Sequence, residues 1–343
     1  MWYTTGMAQV APTRTDRKNP TRGTASESRF SLMEFMREFP DDDACLEHLW
    51  RTRYAVDGQH AECPRCKVTR TFRRYVNAER RQSWTCTTCG LHVHPTAGTI
   101  FHKSSTSLQL WFYALFLITS TRCGISAKQL ERELGVTYKT AWRMFNVIRN
   151  SLMAETDIAP LSGTVEADET YFNRSRRNRL EEEYRRHGAG PTVGERTVFG
   201  MVERQGRVIV RHVPDATAKT LSGELDLHVL PASMVYTDMH PSYQRTGRHF
   251  NHGRVNHTAK VWVDGDVHTQ TIEGFWSTVK GGIRGVYHSV SAKWLQSYLD
   301  EYAWRYNHRE FTPRRPGVRR EPTGEAKFRL LVARACLPLA PKP

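Results

Sequence analysis

No stretch of this chain stays apolar long enough to span a bilayer. The most apolar run, Leu108 to Thr119, falls short of the roughly 20 residues that a membrane helix needs. The opening residues, MWYTTGMAQVAPTRTDRKNP, lack the hydrophobic core of a secretory signal, and Met7 serves as well as Met1 for a start. No internal repeat is visible, which sets a repeat array aside. Acidic residues are in short supply: 35 Asp and Glu against 50 Lys and Arg leave a net charge of +15. That surplus favours a polyanionic partner, because Lys and Arg displace condensed counterions from phosphates. Cysteines number seven. Four form two tight pairs while Cys45, Cys123 and Cys336 are scattered, a usage that fits one metal site in a reducing compartment and not a disulfide framework.

With 343 residues the chain can hold two or three domains. Residues 1–28 are polar and rich in Thr, Arg and Pro, which predicts a disordered tail. Residues 29–100 carry an amphipathic helical pattern around Phe35, Cys45, Leu46 and Trp50, then paired cysteines among short strands. Helices follow over 101–155, a mixed pattern of strands and helices over 160–310, and a basic tail rich in Pro and Arg over 311–343. The expected class is α+β multidomain.

Cys63-Pro-Arg-Cys66 and Cys86-Thr-Thr-Cys89 form C-x2-C-x19-C-x2-C. Each pair lets two thiolates reach one ion from one turn, and two such turns complete a tetrahedral site with Zn–S of about 2.3 Å. The spacing predicts a zinc ribbon with one structural Zn²⁺ per chain, its strands carrying Phe72, Tyr75, Val76 and Trp84. His92 and His94 lie near, but four cysteines already satisfy the ion. Arg65, Lys67, Arg70, Arg73, Arg74, Arg80 and Arg81 give the ribbon a basic face, suited to phosphates or simply to solvent.

From Ile125 to Ile148 the sequence predicts a helix-turn-helix. Ser126 caps a first helix, Leu130 and Leu134 bury one face, Gly135 allows a sharp turn, and Thr137 caps a second helix. The second helix is expected to turn Ala141, Trp142, Phe145 and Ile148 inward. Lys139, Thr140 and Arg143 then face out at its start, where such a helix contacts bases in the major groove.

Three acids stand on elements that can converge: Asp168 on a strand reading VEADETYF, Asp238 at the end of a strand reading MVYTD, and Glu273 on a helix 35 positions later. Such a set can hold two divalent ions, Mg²⁺ or Mn²⁺, about 3.5–4 Å apart for phosphoryl transfer. Lys280 follows Glu273 by seven residues, about 20° short of two full turns, so both share a helix face. Other carboxylates compete. Glu166 shares the strand face of Asp168 by period two, Glu169 takes the opposite face, and Asp264 and Asp266 lie in a loop. His240 follows Asp238. A later helix stripe, Leu295, Tyr298, Leu299, Tyr302 and Tyr306, reads as core, with Arg305 and Arg309 free to reach DNA.

The stretches FPDDDACLEHLWRTRY, CPRC, TAGTIFHKSSTSLQLWFYALFLIT, VEADETYF, VYTDMHPSY, VNHTAKVWVDGDVHTQTIEGFWSTVKGGIRGVYHSV and LDEYAWRYNHR resemble the bacterial insertion-sequence transposases that pair a zinc ribbon with a DDE domain of ISXO type, related to the eukaryotic Merlin elements. The resemblance covers roughly residues 28–310. It implies an RNase H-like fold for 160–310, with the metal-binding triad on Asp168, Asp238 and Glu273 and Lys280 as the accompanying basic residue. It further implies a cytoplasmic, nucleoid-associated bacterial enzyme, a polynucleotidyl transferase that binds terminal inverted repeats as a homodimer or larger and joins their ends to target DNA. Gln270 stands where the family usually has Asn, and the insertion from Asn173 to Arg196 is acidic in its middle. A zinc-dependent DNA-binding regulator without enzymatic activity, and a nuclease or resolvase without strand transfer, are the competing readings; an intact acid triad argues against the first.

Overall fold

The computed structural model describes residues 30–76, 82–121, 123–155, 158–172, 196–256, 259, 261, 263–311, 319–320 and 324–338. The expected tail over 1–28, Arg80 and Arg81, and the insertion up to residue 195 lie outside them.

Local capping sets the first elements. Helix α1 (Leu32–Glu38) opens on a reciprocal box in which the Ser31 hydroxyl accepts from the Glu34 amide and the Glu34 carboxylate accepts from the Ser31 amide. Asp41 caps α2 (Asp42–Arg53). Strands β1 (His60–Glu62), β2 (Thr69–Val76), β3 (Gln82–Cys86) and β4 (His92–Val93) then form an antiparallel sheet in chain order. Trp50 of α2 stacks on Trp84 of β3 at 4.9 Å and lies 5.3 Å from Phe72 of β2. Those aromatic contacts join the small sheet to the helices.

Helix α3 (Leu108–Ser120) buries Trp111, Phe112, Leu115, Phe116 and Ile118. No helix among the described residues is long and apolar enough to cross a membrane. Helices α4 (Ala127–Leu134) and α5 (Tyr138–Ile148) make the predicted pair: Ser126 and Thr137 cap them, and Gly135 turns the chain at φ +63°. Only glycine takes that left-handed conformation without cost.

The larger sheet contains β5 (Thr164–Phe172), β6 (Arg196–Glu203), β7 (Val208–Val213), β8 (Met234–Asp238) and β9 (Asn251–Val255) in the order β7-β6-β5-β8-β9. The first three run antiparallel, and β8 and β9 run parallel to β5. Helix α6 (Ala218–His228) packs Leu221 and Leu225 on the face of Val165, Ala167, Phe199 and Met201. Helices α7 (Gln270–Gly282) and α8 (Ala292–Asn307) cover the other face, over Val198, Val202, Val208 and Val210. This mixed sheet between helices is the RNase H-like arrangement implied by the resemblance.

Two expectations need correction. The segment 311–343, read as a tail, contains β11 (Arg319–Arg320), which pairs with β10 (Glu310–Phe311), and helix α9 (Gly324–Cys336). Phe328, Leu331, Val332 and Ala335 of α9 are buried in the core of α1, α2 and α3. Their spacing is that of one helix face; intervening arginines mask it in the sequence. Arg305, expected to be free for DNA, is 5% exposed. It donates to the carbonyls of Ile118 and Thr121, both at 2.7 Å, and to Glu301 at 2.9 Å.

Glu301, itself fully buried, also accepts from Arg149 Nε at 3.0 Å and from the Tyr287 hydroxyl at 2.9 Å. Arg149 is held between the rings of Phe145 and Tyr298, at 3.5 and 3.6 Å. Glu301→Ala leaves two buried guanidinium groups without their anion. We expect a loss of about 3–5 kcal/mol of stability by urea denaturation; a loss below about 1 kcal/mol contradicts this account.

Candidate active site and metal centre

The cysteine pairs sit on two matching turns. Lys67 at φ +58° returns its N–H to the Cys63 carbonyl at 2.8 Å, and Gly90 at φ +71° returns its N–H to the Cys86 carbonyl at 3.0 Å. The four sulfurs lie within 4.8 Å of one another, with Cys63 and Cys89 at 3.6 Å. A tetrahedral ion with Zn–S near 2.3 Å sets sulfurs about 3.8 Å apart, so the group fits zinc. Burial pushes the Cys63 thiol up, but the N–H groups of Cys66 and Arg65 outweigh it and bring it down to about 6, toward the thiolate that a metal requires. His92 and His94 bond to Thr85 and to the Gln82 carbonyl instead. On the basic face, Arg70 and Arg73 are exposed, whereas Arg74 pairs with Asp43 and Arg65 donates to the Cys89 carbonyl.

At the start of α5, Lys139 is exposed, Thr140 is half-buried beside the Thr137 hydroxyl, and Arg143 leans over the Trp111 ring. Trp142 departs from its expected inward position. It is 37% exposed and meets Trp294 of α8 edge-on at 5.5 Å, while Met144 takes a core place instead.

The sheet brings the three candidate acids together. Asp168 is near the middle of β5, and Asp238 ends β8 on the strand beside it. Glu273 lies in the first turn of α7, across the same sheet face. Burial, then the charges of Glu169, Asp238 and Glu273, push the Asp168 carboxyl up to about 8 despite the Trp276 indole, whose Nε1 donates to Asp168 Oδ2 at 3.0 Å. Desolvation pulls the Lys280 ammonium down while Asp168 pulls it up, so the two groups sense each other. Such crowding of like charge is answered by a cation, which suits the donor set to hard divalent ions. The carboxylates are less tightly gathered than the thiols: among the described residues only the four cysteines bring three or more ligand atoms within 4.8 Å. Asp264 and Asp266 sit exposed in a tight turn closed by the Asp264–Val267 backbone pair. Glu169 takes the other face, where the buried Tyr243 hydroxyl donates to it at 2.5 Å and His240 lies 3.8 Å away. Arg309 rests against the Tyr306 ring.

Sequence reasoning missed how α7 is docked. Gly200 on β6 is the cross-strand partner of Asp168. A Cβ there would come within 2.5 Å of the Trp276 ring, so the glycine makes room for the indole that bonds Asp168. The spacing of Trp276 three residues after Glu273 was the available signal. Glu166, two residues before Asp168, is fully buried and bonded to the first turn of α7.

A family model described as an ISXO2-like transposase domain matches residues 160–307. A protein of Halobacterium salinarum, described as an uncharacterized protein in transposable element ISH50, is 30% identical over 258 residues, which is 71% of this chain and 84% of that protein. An uncharacterized transposase-like protein of Haemophilus influenzae is 29% identical over 99 residues, 29% of this chain and 79% of that protein. Among solved structures, the HTLV-2 integrase catalytic core domain in complex with magnesium aligns with 49% of this chain and 97% of its own at 13% identity. Its TM-score of 0.29 is too low to argue from.

The Asp168 shift makes a pH prediction. Its carboxyl rises from an ordinary 3.8 to about 8 in the folded chain. Between those values the folded state holds a proton that the unfolded state has released, so stability falls as pH rises through that window. Asp168→Asn keeps an acceptor for Trp276 and removes the charge. In buffer free of divalent ions it should melt higher than the native chain at pH 8, with the difference shrinking toward pH 4. Equal melting points at both pH values would count against the charge cluster.

Proposed function

The chain belongs to the family of transposases with an ISXO2-like transposase domain, and from that premise we propose that it binds the terminal inverted repeats of an insertion sequence and carries out metal-dependent strand cleavage and strand transfer on those ends. The observation that carries this reading is the gathering of Asp168 on β5, Asp238 at the end of the adjoining β8 and Glu273 in the first turn of α7, where burial first and then the neighbouring carboxylate charges raise the Asp168 carboxyl. Pure DNA recognition has no need of that cluster.

Asp168, Asp238 and Glu273 are assigned as ligands for two Mg²⁺ or Mn²⁺ ions. When bound, such ions activate the attacking water or 3′-hydroxyl and stabilise the leaving oxygen. Trp276 fixes Asp168 through Oδ2 and leaves Oδ1 for a ligand bond. The His240 amide fixes Asp238 through Oδ1 at 2.9 Å. Lys280, on the Glu273 side of α7, holds a substrate phosphate. The four cysteines hold one structural Zn²⁺, which supplies folding energy to a sheet too small for a core of its own.

DNA is assigned to the N-terminal half. Lys139, Thr140 and Arg143 begin the helix that enters the major groove, and the ribbon's exposed Arg70 and Arg73 meet phosphates. The division of labour is then a helical body with ribbon over 29–155, completed by α9, and a catalytic body over 160–310. Two DNA ends handled together call for a homodimer or larger assembly on DNA, acting at the nucleoid.

The deciding experiment is strand transfer of a labelled, pre-cut element end in vitro. Asp168→Ala, Asp238→Ala and Glu273→Ala should each abolish cleavage and joining while sparing end binding. Lys280→Ala should fall between them and the native chain, and Asp264→Ala should stay active. An active Glu273→Ala beside a dead Asp264→Ala or Asp266→Ala would move the third ligand to the loop. Native activity in all three triad variants would leave a DNA-binding regulator as the better account.

End recognition has its own test. Lys139→Ala and Arg143→Ala should each weaken binding to the terminal repeats by about 1–3 kcal/mol where the side chain reads a base. An equal fall on random DNA would make them phosphate contacts only.

A further inference from the structure

Glu166 is a carboxylate with 0% exposure in the middle of a sheet, and a buried charge is costly unless donors answer it. Here four do. Oε2 accepts the backbone N–H groups of Thr271 at 2.7 Å and Ile272 at 3.1 Å. Oε1 accepts the Thr271 hydroxyl and the Arg204 Nε, both at 2.8 Å. A carboxylate offers about four lone-pair sites, so none remains for a metal.

Two of those donors are orphan amides that open every helix. Thr269 stands at the N-cap of α7 without making a side-chain cap bond there, because its hydroxyl donates to Glu273 Oε1 at 2.8 Å. The cap comes instead from a neighbouring strand, 105 residues earlier. A negative group at that end also complements the helix dipole. One turn further along α7, Trp276 bonds Asp168. Helix and strand are therefore joined at two points that flank Glu273, and Glu166 and Asp168 are successive residues of one strand face.

We infer that Glu166 is a positioning residue, which fixes where Glu273 stands relative to Asp168 and so sets the affinity of the pair for a divalent ion. This rests on the reading above that Asp168 and Glu273 are metal ligands. Arg204 completes the joint: it balances the Glu166 charge and donates to the His268 carbonyl at 3.2 Å, just ahead of α7.

The test uses the full zinc-loaded chain and two measurements that need no catalysis. Hydrogen exchange over residues 268–274 reads the cap. Mn²⁺ binding, followed by electron paramagnetic resonance, reads the site, with Asp168→Asn marking binding elsewhere. Glu166→Ala should speed exchange at Thr271 and Ile272 and weaken Mn²⁺ binding by about 10–100-fold. Glu166→Gln retains one acceptor oxygen for the two amides, so it should restore the exchange protection and part of the affinity. It also carries the test if Glu166→Ala does not fold. Unchanged exchange and unchanged Mn²⁺ binding in both variants would overturn the inference. So would loss of Mn²⁺ binding in Glu166→Gln as complete as in Asp168→Asn, which would make Glu166 a ligand. If the native chain itself binds no Mn²⁺ at Asp168, the ligand assignment fails on its own account, and the exchange data then decide whether Glu166 caps α7.

Discussion

A carboxylate buried among apolar side chains must be met by donors, and Glu301 is met from three directions. Arg149 comes from the end of α5, Tyr287 from the turn after α7, and Arg305 from α8 itself. Arg305 goes on to hold the carbonyls that end α3. The network thus ties the helix pair α4–α5 and the hydrophobic helix before it to the helix that covers the large sheet. Replacing both sides of such a network by apolar groups can be neutral for stability, whereas removing one side is not. What the ions add is a unique geometry: a planar guanidinium clamped between two rings and bonded to one carboxylate has few other places to sit. The proposed DNA-reading helix therefore has a fixed attitude toward the proposed catalytic face, and this joint does not rely on the metal proposed for the ribbon.

The ribbon follows a different logic. Its four thiols crowd within 4.8 Å, and Trp50, Phe72 and Trp84 form a small aromatic core against α2. The apolar contacts attach the sheet to the body, and the sulfur cluster closes its two turns. Loss of the proposed metal should therefore loosen the turns first, since α2 and its tryptophan share a core with α1 and α3 as well as with the ribbon.

Much of this arrangement was legible in the sequence because it is local. The cysteine spacing, the caps at Ser126 and Thr137, the left-handed Gly135 and the period-two placement of Glu166 and Asp168 need only nearby residues to be read. The parts that stayed hidden depend on partners far away in the chain. Arg305 looked like a free cation because nothing beside it announces the carbonyls of Ile118 and Thr121. The stripe of Phe328, Leu331, Val332 and Ala335 was masked by interspersed arginines, and its partner α3 lies some two hundred residues earlier. Trp142 fits an inward position by periodicity, yet Met144 fills the core and the indole meets Trp294 at the surface. Gly200 carried no signal until it was paired with Asp168 across the sheet.

The two acids on β5 show why residue type alone does not assign a role. Glu166 and Asp168 are two residues apart on one face of one strand, and both lie under α7. Around Glu166 the helix presents amides and a hydroxyl, and Arg204 after β6 adds a guanidinium, so the charge is neutralised within the protein. Around Asp168 it presents one indole N–H and the Lys280 ammonium, set against the charges of three other carboxylates. The first site is complete as it stands and holds structure. The second is short of positive charge, and its stability improves with anything that supplies it. About one turn of helix separates these outcomes, because the amides of α7 are free only in its first turn and Asp168 meets the Trp276 indole further along.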